Sequence, residues 1–416
     1  MISDSSPTKI DRIFMFLLSF SIFEGYLFNQ FLLIGIIGIL LTCYVIWRQS
    51  RVYFSNYLLL WYLPLFFLLL GATYSPAPIS ALKYCLMYVA VWIIAMDLRN
   101  MPFSADVLFQ NMIYCSGVHV IATLVRQINV RLVDSICKIL FYPALRDSYT
   151  RFVTTTVGNV GITNQTGWNA FYISAFIGLI FCQLMNQKKG KFISFIWLVA
   201  GYFALFFTTK RSFLLLAFCI PVLLLLSKLK KFSFKQVVGC LVALSVLIGI
   251  FAYAFVRIPA LQYTAARFMI LTRSLDEFSS GRTVLYREAL SLIFANPIRI
   301  LFGYGTFSSD SLLGMGVHNV FLQIWLENGI IALCTYLFIF GIFLRHTLFA
   351  YKNTVHMGDS GKVLQIALYF ELLFLFYCFF GNPLYEMQMI LLYLASIAVA
   401  DGYAQNALRN KLGERT

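Results

Sequence analysis

Two adjacent cations, Lys210 and Arg211, stand in a very short polar break between two apolar runs. Charge at a membrane boundary is costly unless it is paired or serves a site. These two side chains either snorkel to lipid headgroups or bind an anion where the following helix begins, since a helix N-terminus adds its own positive potential. The polar stretch 257–317 carries Arg257, Arg267, Arg273, Arg282, Arg287 and Arg299 against Asp276, Glu277, Glu288 and Asp310. An earlier stretch, 126–166, carries Arg126, Arg131, Lys138, Arg146 and Arg151 against Asp134 and Asp147. Both stretches are net positive, which favours an anionic partner. Arginine forks bidentately onto phosphate and stays charged at any relevant pH, so phosphate is the anion these residues suit best. Several of them will pair with local carboxylates or headgroups instead.

One further string is Gly316-Val317-His318-Asn319-Val320-Phe321-Leu322-Gln323-Ile324-Trp325-Leu326-Glu327-Asn328-Gly329-Ile330, where the polar stretch re-enters an apolar run. The chain has only 4 histidines. A histidine at a helix entrance among arginines either caps and packs or moves a proton near neutral pH. The turn Gly381-Asn382-Pro383-Leu384-Tyr385-Glu386 brings a carboxylate to the same side of the apolar runs. Glu386 there binds sugar-like hydroxyls, balances the arginines, or is an interfacial residue without a role.

The elements that must position these residues follow from composition. Hydrophobic residues make up 60% of the 416 positions and charged residues only 12%, against about 45–50% and about 25% in soluble domains. A mean hydropathy of +0.80 leaves no room for a large soluble domain. The formal net charge of +15 would suggest nucleic acid in a soluble protein; here most Lys and Arg fall between apolar runs, so topology explains them and nucleic acid is excluded as a partner. The 9 cysteines show no CxxC spacing, and several, such as Cys43, Cys182, Cys219 and Cys240, lie inside apolar runs as small packing residues.

Runs long enough to cross a bilayer fall near 11–27, 30–47, 55–73, 80–97, 105–125, 167–185, 191–208, 212–228, 236–256, 318–345, 364–380 and 384–402. The run from Ile13 reads as a retained first helix, not a cleavable leader. The expected fold is all-α: a polytopic membrane protein of about twelve transmembrane helices, one integral membrane domain over 1–416, with a long outer loop before the tenth helix. Every second short loop is basic, as at Arg48, Lys188-Lys189, Lys230-Lys231 and Lys352. The positive-inside bias therefore puts both termini in the cytoplasm and the loops 126–166 and 257–317 outside. Residues 283–295 within the second loop form a helical segment with an apolar face at Val284, Leu285, Ala289, Leu292 and Ile293. Lys210 and Arg211 lie on the outer side, against the bias.

Taken together, these segments resemble the O-antigen ligase and polymerase superfamily of bacterial surface-polysaccharide assembly. The resemblance rests on Thr209-Lys210-Arg211-Ser212 at an outer helix start; on Ser280-Gly281-Arg282 with Tyr286, Asn296-Pro297 and Gly303-Tyr304-Gly305; on His318-Asn319 with Gly329 eleven residues after the histidine; and on the helix layout. Arg151 to Asn169 is similar to the family's Arg- and Asn-rich stretch before the sixth helix. The resemblance implies an inner-membrane enzyme working on the periplasmic leaflet, with the loop before helix 10 periplasmic. The donor would be a saccharide linked through diphosphate to undecaprenol and the acceptor a sugar hydroxyl on a lipid-linked glycan or on lipid A core. Membrane lipid and a chain-length regulator would be further partners. No cofactor is called for. No exposed acidic pair has metal-ligand spacing, so Arg211 and Arg282 would stabilise the leaving diphosphate in place of a metal. His318 would serve as general base or orient the diphosphate, with Lys210, Asn319, Arg287, Arg151 and Glu386 binding substrate. Direct displacement would invert the anomeric centre.

Ser-Gly-Arg at 280–282 and the Gly381-Asn382-Pro383 turn lean towards a polymerase, with a ligase as the close alternative. A transporter also suits twelve spans, but the halves show no repeat and the ionisable residues gather at one face instead of the midplane. A scaffold subunit is the third reading. Loss of function in His318→Ala or Arg211→Ala at normal protein level separates a transferase from both.

Overall fold

The computed structural model describes residues 7–48, 52–101, 104–155, 158–187, 189–228, 249, 253, 257, 262, 281–354 and 359–413. Most of the expected ninth span, 236–256, and most of 257–280, including Arg267, Arg273, Asp276 and Glu277, lie outside the described residues. The described residues form helices and no strand, and the chain is an all-α polytopic membrane protein. Among the described residues six helices are long and apolar enough to cross a membrane: α2 (Gln30–Arg48), α5 (Pro78–Arg99), α6 (Ala105–Ile128), α9 (Thr166–Asn186), α15 (Val320–Thr354) and α17 (Met387–Gly413). Shorter apolar helices are α3 (Asn56–Leu59) continued by α4 (Tyr62–Ala72), α10 (Lys191–Phe207) and α11 (Arg211–Lys228). The remaining helices are α1 (Lys9–Phe23), α7 (Val130–Leu140), α8 (Pro143–Thr155), α12 (Arg282–Phe294), α13 (Pro297–Phe302), α14 (Ser308–Leu313) and α16 (Asp359–Tyr377). On α2 the pattern of burial is that of a lipid-facing helix. Ile34, Ile37, Leu41 and Val45 are buried while Leu32, Ile36, Ile39 and Ile46 are exposed, an apolar stripe that water would not tolerate and hydrocarbon does.

The chain divides into two compact units, one of residues 1–115 and 285–416, the other of residues 116–284. In the first, α17 packs against α5, α16 and α15, α2 and α4 pack against α5, and α13 packs against α15. Its centre is aromatic: Trp61 stacks on Tyr88 with ring centroids 5.4 Å apart, and Phe374 on Tyr393 at 4.2 Å. One end is locked by charge. Arg99 Nε donates to Asp401 Oδ2 at 2.7 Å, His346 Nε2 lies 3.0 Å from Asp401 Oδ1, and the Tyr57 ring stacks on His346 at 3.7 Å. A buried carboxylate in an apolar bundle has to be paired in this way.

Residues 318–345 read as one continuous span, but α15 breaks at Gly329, whose φ of 82° and ψ of 175° are not helical. The cause is the approach of another backbone. Tyr304 N–H donates to Leu326 O at 2.9 Å and Gly305 N–H to Glu327 O at 2.8 Å, diverting two helix carbonyls. A Cβ on Gly329 would lie 1.9 Å from Leu301 O, and one on Gly303 would lie 2.4 Å from Glu327 O. The two glycines thus let α13 and α15 touch main chain to main chain.

In the second unit α9 packs against α10 and α11. The 126–166 stretch contains α7 and α8, which the sequence pattern alone does not reveal. They are tied by Asp134, which accepts from Tyr149 OH at 2.5 Å and pairs with Arg126 at 2.7 Å. Arg126 is thereby a structural cation.

Candidate functional site

In the second unit the basic turn is shaped by its backbone. After α10 the Thr208 hydroxyl donates to Leu205 O at 2.6 Å, Thr209 adopts a left-handed φ of 61°, and Lys210 N–H donates to Thr208 Oγ1 at 3.3 Å. Arg211 then opens α11. The turn is braced from behind by residues 158–169. Asn159 N–H donates to Phe207 O at 2.9 Å, and a Cβ on Gly158 would lie 2.7 Å from Thr208 O. Asn159 Nδ2 donates to Thr123 O at 2.9 Å, while Asn169 Nδ2 donates to Thr123 Oγ1 at 2.8 Å and Asn159 O at 3.0 Å. Asn159 and Asn169 therefore support the turn and spend their amide donors doing so. Arg151 is exposed on α8, whose Ser148 accepts from Asn164 Nδ2 at 3.3 Å.

Arg282, the first residue of α12, acts electrostatically on both Lys210 and Arg211. Burial of Lys210, and secondly the positive charge of Arg282, hold its ammonium below the ordinary lysine range. Three like charges drawn together in this way repel, and an anion relieves the repulsion. Lys210, Arg211 and Arg282, the latter two at helix starts, thus lie within electrostatic reach of one another, an arrangement that suits an oxyanion.

In the first unit His318 is exposed and stands in a left-handed conformation, φ 58°. Thr209, Phe307 and His318 are the non-glycine residues with positive φ among the described residues. Such strain persists only where the surroundings over-determine it. The His318 turn is held from three sides. Tyr286 OH, on α12, donates to His318 O at 3.3 Å; Val320 N–H donates to Cys378 O at 2.9 Å; and Val317 N–H donates to Gln323 Oε1 at 3.1 Å. Gly316 passes so close to the 381–386 turn that a Cβ there would meet Asn382 Nδ2 at 2.5 Å. Asn319 Oδ1 accepts from Leu322 N at 3.1 Å and so caps α15. Arg287 is exposed on α12, next to Tyr286. Glu386 closes the 381–386 turn, and burial pushes its carboxyl up to about 8. At neutral pH it is mostly protonated and able to donate a hydrogen bond.

Sequence reasoning assigned no role to the group that ties these pieces together. Glu327, fully buried, accepts from Ser309 Oγ at 2.6 Å and Gln323 Nε2 at 3.0 Å on one oxygen, and from Phe307 N–H at 2.9 Å and Tyr385 OH at 2.7 Å on the other. Its signal was present: a carboxylate inside an apolar span is expensive and marks a site by default. Tyr286 and Tyr385 stand in the sequence motifs without an assigned role, because their partners, His318 O and Glu327, lie far away in sequence. Among the described residues no group of three or more His, Cys, Asp or Glu comes together to hold a metal ion.

The chain is a multi-span helical membrane protein with cations at two helix starts and a left-handed histidine turn. Residues 193–337, which include Lys210, Arg211, Arg282, Arg287, His318, Asn319 and Glu327, match the family model described as O-antigen ligase, in agreement with the O-antigen ligase and polymerase superfamily. The chemistry of that family is, in general terms, glycosyl transfer of the O-antigen ligase and polymerase type. No curated protein matches the chain.

Proposed function

We propose that this chain is a glycosyltransferase of the bacterial inner membrane that polymerises O-antigen or related repeat units on the periplasmic leaflet, from an undecaprenyl-diphosphate-linked donor. The observation that carries the reading is the gathering of Lys210, Arg211 and Arg282 inside the stretch that matches the O-antigen ligase family. Diphosphate is a competent leaving group whose developing charge needs fixed cations, and two guanidiniums beside an ammonium supply them. His318 takes the proton of the acceptor hydroxyl or orients the diphosphate. Glu386, protonated at neutral pH, donates to a sugar oxygen, and Arg287, Arg151 and Asn319 line the substrate. Without a nucleophile in the scheme, displacement is direct and inverts the anomeric carbon. Both termini are cytoplasmic, and the chain acts as one membrane domain whose loops 126–166 and 257–317 are periplasmic.

The second reading is transfer of the finished glycan to lipid A core, favoured by the description of the matching family. A lipopolysaccharide gel of a deletion strain, complemented with wild type or His318→Ala, separates the two. Core bearing a single repeat unit in the deletion supports the polymerase. Bare core with polymerised glycan held on undecaprenyl diphosphate supports the ligase. An unchanged ladder refutes the O-antigen assignment.

A further inference from the structure

His318 is an exposed side chain on a buried neck. Val317, just before it, is fully buried, and its N–H is satisfied by Gln323 Oε1 at 3.1 Å. The amide of Gln323 is in turn fixed: Nε2 donates to Ser309 Oγ at 3.1 Å and to Glu327 Oε1 at 3.0 Å. Gln323 and Glu327 are four residues apart, on one face of α15. The contacts of the Glu327 carboxylate are hydrogen-bond donors from Ser309, Gln323, Phe307 and Tyr385, and they match the four lone-pair sites of a carboxylate. One of them, the Phe307 N–H, belongs to a second left-handed residue, φ 67°. Another, Tyr385, precedes Glu386 in the turn that Gly316 abuts.

We propose that Glu327 and Gln323 are positioning residues: the carboxylate orients the Gln323 amide, and the amide holds the backbone that sets the direction of His318. The proposal rests on the reading that His318 takes part in glycosyl transfer, and it adds residues that never touch substrate. The chemistry makes glutamine a poor substitute for Glu327. A carboxamide in its place would bring one acceptor oxygen and one NH2 group to four donors. Hydroxyls of Ser309 and Tyr385 can rotate to accept, but Phe307 N–H and the Gln323 amide cannot both be satisfied. Turning the Gln323 amide over would leave Val317 N–H without its acceptor. A small tilt of a reacting group lowers turnover far more than binding, by up to about 100-fold for a displacement on the order of 1 Å.

The test uses the full-length protein in membranes of a deletion strain, with the host's own undecaprenyl-diphosphate-linked saccharide, extracted and titrated, as substrate. Gln323→Leu and Glu327→Gln are expected to lower kcat by about 10- to 100-fold with donor KM within about twofold. Added to His318→Ala, Gln323→Leu is expected to cost nothing further, since it acts through the imidazole already removed. Should either variant fail to accumulate, Ser309→Ala removes a single donor and is expected to lower kcat by about 3- to 10-fold, again without effect in the His318→Ala background. Wild-type kcat in Gln323→Leu beside an inactive His318→Ala overturns the positioning role alone. A full multiplicative loss in the double variant overturns it also, since the residues are then merely structural. Wild-type turnover in His318→Ala overturns the role of His318 itself and this inference with it.

Discussion

Replacing Gly329 with alanine tests the backbone interlock on which the site is built. Gly329 sits at φ 82°, ψ 175°, a region open essentially to glycine alone. An alanine there carries about 1–3 kcal/mol of backbone strain. Its Cβ would also fall 1.9 Å from Leu301 O and 2.3 Å from Leu301 C, so α13 has to move away from α15. Overpacking of that kind costs about 1–3 kcal/mol more, and it strains the hydrogen bonds of Tyr304 and Gly305 to Leu326 and Glu327. The sum is about 2–6 kcal/mol. Gly341, in the same helix, is open: a Cβ added there would meet nothing within 4 Å. Gly341→Ala is therefore expected to be neutral or to stabilise by about 0.5–1 kcal/mol. Thermal unfolding of both variants in one detergent, with membrane abundance measured alongside, makes the comparison internal. Gly329→Ala is expected to unfold about 2–7 °C below wild type. A midpoint within about 1 °C of wild type for Gly329→Ala would refute the interlock.

Three further outcomes follow from charge. Asp401→Asn leaves Arg99 and His346 buried without their carboxylate and is expected to cost about 3–5 kcal/mol in thermal unfolding, with abundance falling before activity per molecule does. For Glu386 the raised carboxyl, about 8 against 4.5 in an ordinary glutamate, means the folded state holds a proton that the unfolded state has lost. Stability therefore falls as pH rises between those values; Glu386→Gln should abolish that part of the slope in thermal midpoints between about pH 5 and about pH 8.5, and an unchanged slope would contradict the assignment. For Lys210 the folded ammonium titrates below 10.5 because of burial and Arg282. Binding of inorganic diphosphate is expected to weaken as pH rises towards that lowered value, and Arg282→Ala should move the weakening to higher pH, read by titration calorimetry.

The helical membrane class was legible because apolar runs of bilayer length dominate the sequence and the polar breaks between them are basic. Lys210 and Arg211 stood out because the pattern of basic breaks does not account for them, and Arg282 followed from the resemblance; the structure puts Arg282 within electrostatic reach of both. The break in α15 was not legible. A lone glycine in an apolar run is ordinary, and only the neighbouring backbone of Leu301 to Gly305 gives Gly329 its conformation. The helices α7 and α8 were hidden for a related reason: their anchor, the Arg126–Asp134–Tyr149 contact, joins residues that look like unpaired loop charges in sequence. Glu327 was written in plain view as a carboxylate within a span. Its four donors come from Phe307, Ser309, Gln323 and Tyr385, and no local pattern announces that convergence.

The most direct measurement is the rate at which purified protein releases undecaprenyl diphosphate from its lipid-linked saccharide in the presence of acceptor glycan, for wild type, Arg282→Ala and His318→Ala at matched folded concentration. The account predicts release coupled to a longer or transferred glycan in wild type, and losses of about 100-fold or more in both variants. Wild-type rates in Arg282→Ala and His318→Ala, or no release from any lipid-diphosphate donor by folded wild type, would contradict it.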